Sequence, residues 1–120
     1  MTHIKQQIGH RGEELATAYL IRTGHTIVAR NVRYKCGEID IITRKNSTIH
    51  YIEVKTRTSE NFGTPVEAVN AKKRQRMQNA LQCHQRTQGY YGRSEYQVDI
   101  IAIMLNHDHK LTHLTYYKNV

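Results

Sequence analysis

The sequence predicts a mixed α/β fold, a mixed sheet flanked by helices in the order α-β-β-β-α-β-β. Three observations carry that prediction. Two segments repeat their apolar residues at helical spacing. Five short segments are β-branched, alternating or continuously apolar. The second helical segment falls between strands, where it can carry the chain across the sheet. A length of 120 residues matches a single domain spanning 1–120, at roughly 100–200 residues per domain.

The first helix is read over 4–23, where Ile4, Ile8, Leu15, Ala16, Tyr19 and Leu20 share one face. Gly9 and Gly12 weaken its first half and put its firm start near Gly12, and Gly24 stops it. Strands follow at 25–30 (HTIVAR), 38–44 (EIDIITR) and 48–56 (TIHYIEVKT), with Lys45-Asn46-Ser47 turning the second into the third. A polar loop, 57–65, leads to a helix capped by Asn70 and running to about Gln88. Met77, Ala80, Leu81 and His84 form its core stripe. After a loop at 89–94, the near-continuous apolar run of 96–105 reads as a strand buried on both faces. A turn at 106–110 leads to a last strand at 111–118.

Apolar residues make up 38% of the chain and charged residues 23%, which excludes a disordered or fibrous protein. No apolar run approaches the ~18–20 residues that span a bilayer. The N-terminal residues lack the apolar core of a secretory signal, so the expected compartment is the cytoplasm. Cys36 and Cys83 are far apart and lack a CxxC spacing. A disulfide framework or zinc ribbon is therefore excluded, and the pair reads as two reduced thiols. Eighteen Lys and Arg against ten Asp and Glu leave a net charge of +8 and a pI of about 9.7. That balance favours a polyanionic partner, nucleic acid rather than a membrane surface.

The chemistry is read from two strands. Side chains alternate along a strand, so Glu38 and Asp40 share a face, as do Tyr51, Glu53 and Lys55. If the strands pair, Asp40 and Glu53 come within a few ångströms of each other. Two carboxylates that close repel, and a hard dication such as Mg²⁺ or Mn²⁺ resolves the conflict while keeping several waters. The Val54 carbonyl is a further candidate ligand. Lys55 is placed to orient or deprotonate an attacking water and to stabilise the charge that grows on a phosphodiester. The same positions, with Arg57, would equally make a cross-strand ion-pair ladder on a solvated face.

Gly37-Glu38-Ile39-Asp40, followed after twelve residues by Glu53-Val54-Lys55, resembles the bipartite PD-(D/E)xK signature of nucleases, without its proline. Adding Gly9, Gly12-Glu13, Ala16, Tyr19-Leu20, Gly24, Asn31, Val69, Lys73 and Asp99-Ile100-Ile101, residues 8 to 104 resemble the YraN-like family of small bacterial proteins. That family is in turn similar to archaeal Holliday junction resolvases. The resemblance implies a restriction-endonuclease-like mixed β-sheet flanked by helices. It also implies metal-dependent phosphodiester hydrolysis, or at least nucleic-acid binding, and the expected substrate is DNA, branched DNA included. It places the helix-borne glutamate on Glu13, the metal-site aspartate on Asp40, the ExK pair on Glu53 and Lys55, and the second-helix lysine on Lys73. Glu38 either joins the metal site or caps the strand. Asp99 matches a supporting position, although the family's Arg-Phe-Asp is here Gln97-Val98-Asp99.

Lys72, Lys73, Arg74 and Arg76 make a candidate phosphate-tracking face that Arg33, Lys35 and Arg57 extend. His107, His109 and His113 have no evident catalytic partner, and Cys36 has no base to activate it. Tyr90-Tyr91 and Tyr116-Tyr117 are candidate base-stacking pairs. The 61–63 stretch (NFG) lies in the loop after the third strand, where a segment could close over substrate. A homodimer would suit two symmetric cuts. The alternatives are a non-catalytic nucleic-acid-binding module with a vestigial site, and an adaptor that docks its basic face on an acidic partner.

Overall fold

The structure is a computed structural model that describes residues 2–58, 71–89 and 95–120. The elements are α1 (Thr2–Arg22), β1 (Thr26–Tyr34), β2 (Gly37–Lys45), β3 (Thr48–Thr58), α2 (Ala71–Thr87), β4 (Glu95–Leu105) and β5 (Leu111–Tyr117). This is the α-β-β-β-α-β-β order that the sequence predicts. The expected Asn70 cap and the stretches at 61–63 and 90–91 lie outside the described residues.

The five strands form one mixed sheet in the order β1-β2-β3-β4-β5. Three neighbouring pairs are antiparallel, while β3 and β4 run parallel from Thr48↔Glu95 to Thr58↔Leu105. A parallel neighbour requires a crossover, and α2 lies in that connection. Adjacent residues on the inner strands face opposite ways and feed two cores. Ile41, Ile52, Val54, Ile101 and Ile103 pack against Ala16 and Leu20 of α1. Ile42, Ile49 and Tyr51 pack against Met77, Ala80 and Leu81 of α2. Each face of the sheet thus carries one helix. The α2 stripe read from the sequence is buried as expected, His84 included. The β4 run Asp99–Ile103 is also buried, between β3 and β5.

Local chemistry sets the turns. α1 closes with the His25 amide donating to the Leu20 carbonyl across Gly24, at φ 97°, where a left-handed residue suits glycine. Asn46 and Ser47 both take positive φ between Lys45 and Thr48, the two-residue turn whose twist matches a hairpin.

Three expectations are corrected. α1 begins at Thr2 rather than near Gly12. Gly12 is a contact rather than a break: a Cβ there would lie 1.8 Å from Thr56 Oγ1, so its bareness lets α1 settle on β3. β1 continues to Tyr34 instead of ending at Arg30, because pairing with β2 persists to Tyr34↔Gly37. Finally, alternation puts Ile39 and Ile41 on one face, yet Ile39 packs in the α2 core and Ile41 in the α1 core. Asn31 takes a left-handed φ of 52° opposite this stretch, between the Arg30↔Ile41 and Val32↔Ile39 pairs.

Candidate active site

The β2–β3 ladder runs from Lys45↔Thr48 to Ile41↔Ile52 and stops one residue short of the two acids. Beyond it Asp40 takes over a ladder role with its side chain: Oδ2 accepts from the Val54 amide at 2.8 Å. That bond fixes Asp40 against β3, beside Glu53. A cleft of about 490 Å³ opens there, lined by Glu13, Glu38, Asp40, Glu53 and Val54 on one side and Lys72, Lys73, Arg76 and Met77 of α2 on the other.

The acids are poorly tolerated as they stand. Glu53 is 4% exposed and pairs with the Lys73 ammonium. Burial, and then the Glu53 charge, push the Asp40 pKa up to about 8, so at neutral pH this carboxyl holds a proton. Glu13, half-buried, is also raised by desolvation, partly offset by a hydrogen bond with Asn31 and the charge of Arg30. Burial alone would lower Lys73, but its bond to Glu53 and the Glu53 and Asp40 charges outweigh that and raise it. Lys55 goes the other way: burial and the neighbouring Lys73 and Arg57 charges lower it. A proton on Asp40 and the ammonium of Lys73 together supply the positive charge that the carboxylates lack. That is the electrostatic deficit a dication would fill.

The donor set has a definite character. Among the described residues no group of three His, Cys, Asp or Glu is placed to hold a metal ion. The acids of the cleft offer carboxylate oxygens, with no thiolate or imidazole among its lining residues of the kind zinc favours. They match what Mg²⁺ or Mn²⁺ accepts, one or two protein carboxylates with the remaining positions filled by water.

Most candidate residues gather here, and some do not. Glu13, Glu38, Asp40, Glu53, Val54, Lys72, Lys73 and Arg76 line the acidic cleft. Lys55 and Arg57 line an adjoining groove that shares Glu13 and Val54 with it. Arg33 is exposed and pairs with Glu38 at 3.2 Å, and Lys35 is exposed in the β1–β2 turn. Arg74 borders a smaller cavity beneath α2 that reaches Glu53 from the other side. The ion-pair ladder along β2 and β3 is not what forms: Asp40 bonds a backbone amide, and the cation on Glu53 comes from α2.

Asp99 lies elsewhere. It is fully buried and accepts from His50 Nδ1 at 2.7 Å, Gln97 Nε2 at 2.8 Å, the Asn119 amide at 2.8 Å and the Tyr116 hydroxyl. Burial raises its pKa, but these donors prevail and the net shift is downward. It packs beside a separate cleft of about 310 Å³ lined by His25, Lys45, His50, Tyr116 and Lys118. Tyr116, half-buried at the wall of that cleft, is held there by its hydroxyl bond to Asp99. Sequence reading gave no role to Asn31, His25 or His50. Their partners are not local, each lying at least 18 positions away, and Asn31 enters the sequence reading only as one residue of the family resemblance.

The model of the uncharacterised protein family UPF0102 matches residues 12–103. The chain is 43% identical to a UPF0102 protein of Chlorobium phaeobacteroides over 105 residues, 88% of this chain and 82% of that one. It is 37% identical to one from Moorella thermoacetica over 111 residues, 92% of each chain. A Clostridium acetobutylicum relative is 34% identical over an alignment of 125 positions that covers 99% of this chain and 97% of the relative.

Proposed function

The chain belongs to the UPF0102 family, and from its acidic cleft we propose that it is a Mg²⁺- or Mn²⁺-dependent endonuclease of restriction-endonuclease-like type acting on DNA, branched DNA included. One observation carries this reading: two carboxylates from neighbouring strands converge on a cleft whose opposite wall is lined by cations. A generic surface ion-pair face does not drive a carboxyl up toward pH 8.

Asp40 and Glu53, with the Val54 carbonyl, would hold the ion. When bound, it lowers the pKa of water and neutralises charge growing on the phosphodiester. Lys55 would orient an attacking water, and its lowered pKa brings the amine nearer to accepting a proton. Glu13 adds negative charge from α1 and steadies the site through Asn31. Lys72 and Arg76 hold the flanking phosphates, with Arg57 and Lys55 continuing the track along the adjoining groove. With Glu53 holding an ion, the Lys73 ammonium that now pairs with it would be placed to contact phosphate.

The test is cleavage of single-stranded, duplex and four-way DNA with Mg²⁺ or Mn²⁺. Asp40→Ala and Lys55→Ala are expected to cut at least 10²-fold more slowly than wild type. Equal cleavage by either variant overturns the proposal. The Lys73–Glu53 ion pair favours a second reading, a DNA-binding module whose site is vestigial because a lysine already occupies it. Calorimetric titration with Mn²⁺ separates the two: heat of binding that Asp40→Asn abolishes supports the enzyme, and salt-sensitive DNA binding with no Mn²⁺ heat supports the module.

A further inference from the structure

Cys36 and Cys83 stand 47 positions apart in the sequence, and the fold brings their Sγ atoms to 3.5 Å. Cys36 occupies the short turn between β1 and β2. Cys83 lies on α2, about two helical turns beyond Arg76. Gly37 is what allows this approach. A Cβ at that position would lie 2.1 Å from the Arg76 carbonyl oxygen, so α2 rests directly on the backbone beside Cys36. Both thiols are partly exposed and reachable by a small reagent. They already make a sulfur–sulfur hydrogen bond. A disulfide bond is about 2.05 Å long, so closure needs roughly 1.5 Å of side-chain movement and no separation of the elements.

We propose that Cys36 and Cys83 form a reversible dithiol–disulfide couple, a modification site for a peroxide or a low-molecular-weight disulfide. With hydrogen peroxide, one cysteine thiolate attacks an oxygen and the O–O bond breaks. The thiolate becomes a sulfenic acid, and the departing hydroxide takes up a proton as water. The second thiolate then attacks the sulfenic sulfur, the S–S bond forms, and the remaining oxygen leaves as a second water. Two thiols lose two electrons, and the peroxide gains them. With a disulfide such as oxidised glutathione, two exchange steps pass through a mixed disulfide and release two reduced thiols.

The crosslink joins the two walls of the acidic cleft. α2 carries Lys72, Lys73 and Arg76, and β2 carries Glu38 and Asp40 across from them. Oxidation fastens α2 to the head of β2 and limits how far that wall can swing away. The couple forms whether or not the cleft cuts DNA, so its test stands apart from the nuclease reading.

The experiment treats reduced protein with hydrogen peroxide or oxidised glutathione, alkylates with N-ethylmaleimide, and reads intact mass and melting temperature. Reduced protein takes up two labels. Oxidised monomer is expected to take up none, to weigh about 2 Da less through the S–S bond, and to revert with dithiothreitol. Closing a loop of this length is expected to raise its melting temperature by roughly 10–15 °C. Cys36→Ser and Cys83→Ser each keep one labelled thiol and show no rise. The inference is overturned if oxidised wild type keeps both thiols, forms only intermolecular dimers, or stops at sulfinic acid. It is equally overturned if the crosslinked monomer melts no higher than the reduced one.

Discussion

Asp40→Asn tests the acidic cleft without requiring any cleavage. In the unfolded chain Asp40 releases its proton at about its ordinary value of 3.8, and in the folded chain at about 8. Between those values the folded state binds more protons than the unfolded one, so this residue makes stability fall as pH rises. Each pH unit is worth about 1.4 kcal/mol at most. A span of roughly four units sets a ceiling of about 5–6 kcal/mol, which sharing of the proton with Glu53 and local relaxation reduce. We expect about 2–3 kcal/mol to be lost between pH 5 and pH 8, or roughly 8–12 °C of melting temperature for a chain of this length. Asparagine keeps a carbonyl oxygen for the Val54 amide and removes the titration. The variant should therefore match wild type only near pH 3.8 and below, and be the more stable of the two above pH 8. Added Mg²⁺ or Mn²⁺ should stabilise wild type, increasingly so at higher pH, and leave Asp40→Asn nearly unmoved. Thermal melts at pH 4, 7 and 9, with and without metal, decide the matter. Parallel pH profiles for the two proteins, or equal stabilisation of both by metal, would refute the reasoning.

Other outcomes follow from specific contacts. Gly37→Ala pushes a methyl group against the Arg76 carbonyl and should cost about 2–3 kcal/mol by forcing α2 off β2, read as a lower denaturation midpoint. The depressed pKa of Asp99 means its contribution is present above about pH 4 and lost as pH falls through its lower folded value. Asp99→Asn should destabilise the protein by about 3 kcal/mol at pH 7 and less in acid, measured by urea titration at both pH values. Arg76→Ala should weaken binding to duplexes of unrelated sequence about equally and lower the slope of log K against log salt by about 1.

Much of the architecture was legible because its determinants are local. The order of elements, the Met77-Ala80-Leu81-His84 stripe, the Asn46-Ser47 turn and the Gly24 stop each rest on a period of 3.6 or 2, or on the φ preference of one or two residues. That the two pairs, Glu38 with Asp40 and Glu53 with Lys55, would come from neighbouring strands was also legible, because the strands are short and joined by a local turn; alternation itself fails across Asp40, between Ile39 and Ile41. The start of α1 and the length of β1 were not. Both depend on what the segment touches, Thr56 against Gly12 in one case and β2 along Tyr34 in the other.

Tertiary structure alone decided which groups meet across long stretches of chain. The sequence determined that acids and a lysine would share a strand face, and that Lys73 would ride on a basic helix. Only the β2–β3 register and the placement of α2 across the sheet brought Lys73 onto Glu53, gave Asp40 its bond to Val54 and left it protonated. The same packing sent Asp99 to His50 on the other face and set Cys36 beside Cys83. The physical reason is one of range. Propensity and periodicity act over a few residues, whereas a pKa shift or a sulfur–sulfur contact depends on distances of a few ångströms between groups tens of residues apart, and those distances exist only once the elements have packed.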